Sequence, residues 1–327
     1  SVEIRRVDNK EKFTVSKFGF VFPGQGSQKL GMLNELSEKH PSIKATFDIA
    51  SEVLQRDAWE IAQVDSENLL DRTDITQPLL LAASVAIWQA WQEAGGARPT
   101  ILAGHSLGEY SALAAAGALS IADAARLLRI RGRAMQEAVP VGIGAMAALL
   151  GLDFATAQQV AEAAAQGDVC QAANDNDPAQ VVVSGHKAAV ERAVDLAKAA
   201  GAKRAVMLPV SAPFHCALME PAAKVMAQAL DDVTINSPAL PLVANVRAVA
   251  VTDPTLIRAL LGEQVTGSVR WRESVLWMAD QGVREIWEIG AGKALSGMIR
   301  RIAKDVDCRA IGTPEDVTAA ITALNGA

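Results

Sequence analysis

Apolar and polar positions follow two rhythms along this chain, and the changes of rhythm mark its elements. Short unbroken apolar runs at 17–22 (KFGFVF) and 100–103 (TILA) read as strands buried on both faces. Apolar residues returning every three to four positions predict helices over 43–56, 76–94 and 120–138. Gly95-Gly96 stops the second of these. Ser120 with Asp123 three residues on opens the third as a cap, and Pro140 and Gly142 end it. Between 141 and 209 the pattern predicts strand 143–152, helix 154–166, strand 169–173, a polar loop at 174–178, strand 180–184, helix 187–200 and strand 203–208. That β-α-β-β-α-β order is the split ferredoxin-like unit. Longer elements then return: helix 217–230, strand 241–246, helices 254–262 and 271–281, strand 284–289, and a helix at 294–303 after Gly290-Ala291-Gly292-Lys293. The fold class is α/β. A large domain of 17–140 and 210–327 is interrupted by a small domain of 141–209, and 1–16 reads as an extension or tag remnant.

Composition narrows the function. Half of the 327 residues are hydrophobic and 21% are charged, which excludes a disordered or collagen-like chain. The 31 Lys and Arg against 37 Asp and Glu give a net charge of −6, and only 4% are aromatic. Neither a basic block nor a base-stacking surface marks a nucleic-acid partner. No apolar run approaches the roughly 18 residues that a membrane span needs. The start of the chain lacks the apolar core of a signal peptide. Three scattered cysteines fit reduced thiols in a cytoplasm better than a disulfide framework. Four scattered histidines make no metal site, and the glycine-rich turns lack the spacing or the preceding strand of a nucleotide loop, so no metal and no cofactor are expected.

One segment carries chemistry. Gly104-His105-Ser106-Leu107-Gly108 follows a strand and precedes a helix, the context in which G-x-S-x-G makes a strained turn presenting a serine nucleophile. The alternative is an ordinary serine cap after a buried strand. A serine nucleophile needs a base. His105 sits beside Ser106 in a tight turn, so the two side chains diverge, and His105 reads as a pocket wall or a donor to substrate. His40 lies among charges, and His186 reads as a loop residue. Elimination leaves His215, held in a segment made rigid by Pro209 and Pro213. Arg131 shares the inward stripe of its helix with Leu127, Leu128 and Met135 and has no acidic neighbour there. A buried guanidinium must find an anion: either a distant carboxylate of the protein or the carboxylate of a substrate held in a bidentate fork.

Five stretches taken together, in this order, resemble the malonyl-CoA:acyl carrier protein transacylases, acyltransferases of fatty acid and polyketide synthesis. They are Phe22-Pro-Gly-Gln-Gly-Ser-Gln28, Gly104-His-Ser-Leu-Gly-Glu-Tyr-Ser111, Arg131-Gly-Arg-Ala-Met-Gln136, Pro213-Phe-His-Cys-Ala-Leu-Met219 and Glu288-Ile-Gly-Ala-Gly-Lys293. The resemblance implies an α/β-hydrolase-like large domain, with a parallel central sheet, around the ferredoxin-like insertion. It implies that Ser106 is acylated, that His215 is its base, and that the amides of Gln25 and Leu107 hold the oxyanion. It implies that the backbone carbonyl of Gln264 orients His215, that Arg131 grips the malonyl carboxylate, and that His105 and Met135 line the acyl group. Phe214 is similar to the bulky residue of malonyl-selective relatives, so an α-methyl substrate is expected to be disfavoured. The implied partners are malonyl-CoA, a coenzyme A thioester, and acyl carrier protein; a monomer in the cytoplasm is expected.

Rival readings remain at this point. A serine thioesterase or hydrolase would use the same elbow but would not need Arg131. A polyketide-synthase acyltransferase or a malonate decarboxylase component would keep the chemistry and change the pathway. A non-catalytic docking module would not need Ser106, His215 and Arg131 together. Arg300, Arg301 and Lys304 form a candidate basic patch for an acidic carrier, or else a solvated helix face, and Lys293 is a candidate ligand contact.

Overall fold

A strand paired on both edges and covered on both faces leaves no position for a polar side chain, and β1 (Phe18–Phe22) is buried at all five. The computed structural model describes residues 17–325; the extension expected at 1–16 lies outside the described residues. After β1 come α1 (Asn34–Lys39), α2 (Ser42–Leu54), α3 (Ala58–Gln63), α4 (Thr73–Glu93), β2 (Ile101–Gly104), α5 (Gly108–Ala115) and α6 (Ile121–Glu137). The middle of the chain holds β3 (Gly144–Leu150), α7 (Phe154–Ala165), β4 (Cys170–Asp177), β5 (Gln180–His186), α8 (Lys187–Ala199) and β6 (Arg204–Met207). A 3-10 turn at Ala217–Met219 leads to α9 (Glu220–Asp231), β7 (Leu242–Val243), β8 (Ala250–Val251), α10 (Pro254–Gln264) and α11 (Trp271–Asp280). β9 (Glu285–Ile289), α12 (Ala294–Ile302), β10 (Asp307–Ile311) and α13 (Pro314–Asn325) complete it.

Two sheets result. The larger runs β10-β9-β1-β2-β7-β8, parallel throughout except for β8, which turns back on β7. Alternate side chains of its strands enter two cores: Phe18, Phe20, Phe22 and Leu102 on one face, Val21, Ile101, Ala103 and Ile286 on the other. The smaller sheet, β4-β5-β3-β6, is antiparallel. α7 and α8 cover one of its faces over Ala147, Leu149, Val181 and Val183. The opposite face, with Met146, Ala173 and Val182, packs against Leu208, Val210 and Phe214.

Several expected elements are corrected. The polar loop at 174–178 is largely strand: β4 continues through Asn174, Asp175, Asn176 and Asp177 with two register shifts, and all four side chains are buried. Their partners lie far along the sequence. Asp175 makes a bidentate pair with Arg272 of α11 at 2.9–3.1 Å, and Asp177 accepts from Arg301 of α12 at 2.7 Å. Backbone bonds between Asp175 and Val269 (3.0 Å) and between Val269 and Ala173 (2.9 Å) tie the smaller sheet to the larger one's layer. Only two residues of the strand expected at 241–246 pair on β2 before the chain reverses into β8. His186 is the last residue of β5, not a loop residue, and its Nδ1 accepts from the Val169 amide at 2.9 Å.

Helix α6 lies very close to the start of α4. A Cβ at Gly132 would stand 2.6 Å from the Thr73 carbonyl oxygen, so only glycine permits this approach. Gly262 in α10 faces open space. Gly132→Ala is therefore expected to destabilise the protein by about 1–3 kcal/mol. Gly262→Ala should stabilise it by about 0.5–1 kcal/mol in urea denaturation. Equal effects at the two positions would refute the close contact.

Candidate active site

The C-terminal ends of β1, β2 and β7 converge, the edge of a parallel sheet where ligands ordinarily bind. At the end of β2 the chain must reverse into α5 within three residues. Ser106 takes φ 55° to do so, a left-handed conformation unfavourable for a residue with a side chain. The flanking glycines make room: a Cβ on Gly104 would lie 1.9 Å from the Gly108 backbone, and one on Gly108 would lie 2.2 Å from the Phe22 carbonyl oxygen. Ser106 is thus presented partly exposed at the start of α5, more than a cap residue.

Its hydroxyl lies 2.7 Å from Nε2 of His215. Nδ1 of the same ring is 2.9 Å from the backbone carbonyl of Gln264, at the end of α10. A carbonyl can only accept, so Nδ1 carries the hydrogen and Nε2 is left to accept from the serine. His215 itself has φ 58° and lies in the turn after Pro213. Its ring is buried; burial, and then the charge of Arg131, push its pKa down to about 3. The resting imidazole is neutral and available as a base.

Arg131 is 1% exposed. Its Nη1 donates to Gln77 Oε1 at 2.8 Å, and its Nη2 donates to Gln264 Oε1 at 2.9 Å and to Ser106 Oγ at 3.1 Å. Its Nε is buried without an acceptor, and no carboxylate pairs with it among the described residues. The guanidinium sits 5.7 Å from the centre of the Tyr110 ring. The distant protein carboxylate considered from the sequence is absent from these contacts, and two neutral amide oxygens hold the fork instead. Met135 lies one step back: Gln77 Nε2 reaches its sulfur at 3.8 Å.

A buried network beneath the serine was not read from the sequence. Asn245, after β7, accepts the Ser106 amide at 2.8 Å through Oδ1 and donates to the Gly104 carbonyl at 2.6 Å. Glu109 Oε2 accepts from Gln264 Nε2 at 2.8 Å and from the Asn245 amide at 3.3 Å. Burial raises the Glu109 pKa to about 7, against the opposing pull of those two hydrogen bonds and of Arg131. Glu109 lay inside the quoted elbow motif, and that was its only signal. Gln77, Asn176 and Asn245 had none.

The remaining residues are placed as follows. The His105 ring turns away from Ser106, with Nε2 2.8 Å from Asn176 Oδ1 of β4 and its face 5.6 Å from the Trp271 ring centre. Burial lowers its pKa, outweighing the hydrogen bond that its Nε2 donates to Asn176. Phe214 packs half-buried between the large core and the smaller sheet. The Ser106 amide is spent on Asn245, whereas the amides of Gln25 and Leu107 donate to no acceptor among the described residues. Gln25 follows β1 on an exposed turn, and its side chain reaches Thr73 at 3.3 Å. Lys293 is exposed at the start of α12. In the basic patch, Arg301 is drawn onto Asp177 and Arg300 onto the Cys308 carbonyl. Among the described residues no three His, Cys, Asp or Glu side chains converge as metal ligands, and no helix is long and apolar enough to cross a membrane.

The chain is similar to known proteins along nearly its whole length. Residues 19–319 match the family described as acyl transferase domain. The chain is 48% identical to the malonyl CoA-acyl carrier protein transacylase of Salmonella typhimurium over 94% of its own length and 100% of the relative's. It is 43% identical to the Bacillus subtilis protein of the same name over 95% and 98%. Among solved structures, the malonyl CoA-acyl carrier protein transacylase of Coxiella burnetii superposes with a TM-score of 0.93 at 45% identity, over 94% of this chain and 98% of that one. A malonyl-transacylase solved in complex with a type II PKS acyl-carrier protein superposes with a TM-score of 0.92 at 46% identity, over 94% and 100%.

The burial of His215 sets a pH dependence. Its pKa falls from 6.5 in the unfolded chain to about 3 in the folded one, so between those values only the unfolded chain gains the proton. This contribution to stability is fully present above pH 6.5 and is lost as pH falls toward 3. NMR of the free protein is expected to show a neutral His215 ring from pH 8 to about 4.5. A midpoint near 6.5 would contradict the burial.

Proposed function

The chain belongs to the acyl transferase domain family, and from that premise we propose the course of its reaction and the role of each residue. The protein is a malonyl-CoA:acyl carrier protein S-malonyltransferase. It moves the malonyl group from malonyl-CoA to the phosphopantetheine thiol of acyl carrier protein, for fatty acid biosynthesis. The observation that carries the residue roles is the junction of three groups on one oxygen: Ser106 Oγ lies 2.7 Å from the base His215 and 3.1 Å from the unpaired guanidinium of Arg131.

His215 Nε2 takes the Ser106 proton as Oγ attacks the thioester carbon. The oxyanion that forms is held by the amides of Gln25 and Leu107, each worth about 3–4 kcal/mol. As the carbon–sulfur bond breaks, His215 returns the proton to the departing CoA sulfur. The product is malonyl-Ser106. The carrier's thiol then attacks that ester, His215 takes the thiol proton, and the proton passes back to Ser106 Oγ. No cofactor takes part beyond the two thioester carriers. One chain supplies the whole site, as a monomer requires, and a cytoplasmic location suits the free thiols.

Arg131 supports a short diacid. Bonded to Ser106 Oγ, a malonyl ester ends only one methylene beyond its carbonyl, so its carboxylate returns to the guanidinium fork beside the same oxygen. His105, buttressed by Asn176, and Phe214 flank that space, with Met135 steadying Gln77 behind it. The architecture is read as an α/β-hydrolase-like unit of 17–140 and 210–327, with a ferredoxin-like unit of 141–209 inserted.

Intact-protein mass spectrometry tests this. Malonyl-CoA alone should add one malonyl group to the wild type, none to Ser106→Ala, and acyl carrier protein should discharge it. Steady CoA release without an adduct would mean a hydrolase. Arg131→Ala should slow malonyl acylation by about 30- to several-thousand-fold. Phe214→Ala should raise acylation by methylmalonyl-CoA relative to malonyl-CoA; an unchanged ratio would remove Phe214 as the discriminating side chain.

A further inference from the structure

A cation as deeply buried as Arg131 needs negative charge nearby, yet a carboxylate bonded to its fork would occupy the place of the substrate. The structure separates the two demands. The Gln264 side chain stands between Glu109 and Arg131: its Nε2 donates to Glu109 Oε2 at 2.8 Å, and its Oε1 accepts from Arg131 Nη2 at 2.9 Å. The amide dipole therefore runs with its positive end on the carboxylate and its negative end on the guanidinium. Each charge strengthens the hydrogen bond at its own end, and the amide is fixed against flipping. Glu109 has no direct contact with Arg131 and none with the serine oxygen or the His215 ring, so it touches no reacting atom.

We propose that Glu109 is a positioning residue for Arg131, acting through the Gln264 side-chain amide, and that it thereby sets the preference for an acyl group ending in a carboxylate. The inference rests on the malonyl-transfer reading above. A neutral residue in place of Glu109 removes the one charged acceptor of Gln264 Nε2 and leaves only the Ser106 carbonyl at 3.0 Å and Asn245 Oδ1 at 3.3 Å, so the amide is held less firmly. The turned amide, with its NH2 end on the guanidinium, donor against donor, then costs less to reach. An acetyl group carries no carboxylate for Arg131 to hold, so the same loss weighs less on its transfer.

The test follows acylation of Ser106 by intact mass with malonyl-CoA and with acetyl-CoA separately. It is run at pH 8, above the Glu109 pKa of about 7, so that the carboxylate is ionised. The proteins are wild type, Glu109→Gln, Arg131→Ala and the double variant, with folding verified by circular dichroism. The malonyl-to-acetyl ratio of acylation efficiencies is expected to fall about tenfold in Glu109→Gln, the scale of one charge-assisted contact. In the Arg131→Ala background the same change should leave the ratio where Arg131→Ala had put it. An equal loss with both donors, or an undiminished fall in the double variant, overturns the proposal by reducing Glu109 to a structural acid. Should Glu109→Gln fail to fold, Glu109→Asp, which keeps the charge and shortens its reach, is held to the same comparison. A wild type that forms no malonyl-serine would instead overturn the reading of the reaction, which separates the two failures.

Discussion

The buried, uncompensated guanidinium of Arg131 is the constraint on which the rest of the site depends. Removing such a cation from water costs several kcal/mol unless its donors are satisfied. Here Gln77 and Gln264 satisfy two donors, the Tyr110 ring lies against the cation, and Glu109 supplies charge at one remove. These groups come from α4, α5 and α10, and α6 must run within van der Waals reach of α4 to bring them together. Gly132, next to Arg131 in sequence, permits that approach. The packing of three helices is thus coupled to the position of one charge.

The same charge shapes the base. In a serine hydrolase a carboxylate stabilises the imidazolium that forms as the serine gives up its proton. Here a neutral carbonyl fills that position, and a cation stands close enough to oppose protonation. A weakly basic histidine suffices because the leaving group is a thiol, far easier to expel than an amine. In the reaction proposed above, a malonyl carboxylate held at Arg131 cancels part of its field as the imidazolium develops. On the proposed reading, the substrate charge held at Arg131 also makes His215 a better base.

The sequence singled out Ser106 and Arg131 because each sits in a local pattern, a strand–turn–helix and a helical stripe, and His215 by elimination among four histidines and its place after a pair of prolines. The groups around them have no local pattern. Gln77 and Asn245 reach the site from 29 residues before Ser106 and 139 residues after it, and an isolated Gln or Asn carries no periodic signal. Glu109 was visible in the elbow motif but reads as a helix-start acid until Gln264 is placed beside it. The misread at 174–178 has the same origin. Four consecutive polar residues spell a loop unless Arg272 and Arg301, about a hundred residues on, can be seen to cover them. β10 and α13 were missed for a different reason: their short, mixed apolar pattern takes its meaning from β9 and the core.

That misread strand shows what the inserted sheet contributes. Asp175 and Asp177 are each buried against an arginine of the larger unit, on α11 and α12, while Asn176 between them reaches His105 beside the nucleophile. Buried ion pairs add little net stability, because desolvation offsets most of the attraction, but they penalise every arrangement that separates them. Two such pairs bracketing one asparagine therefore fix where that asparagine can be. They hold Asn176 against the His105 ring, beside Ser106. The ion pairs act on the chemistry through position rather than through stability.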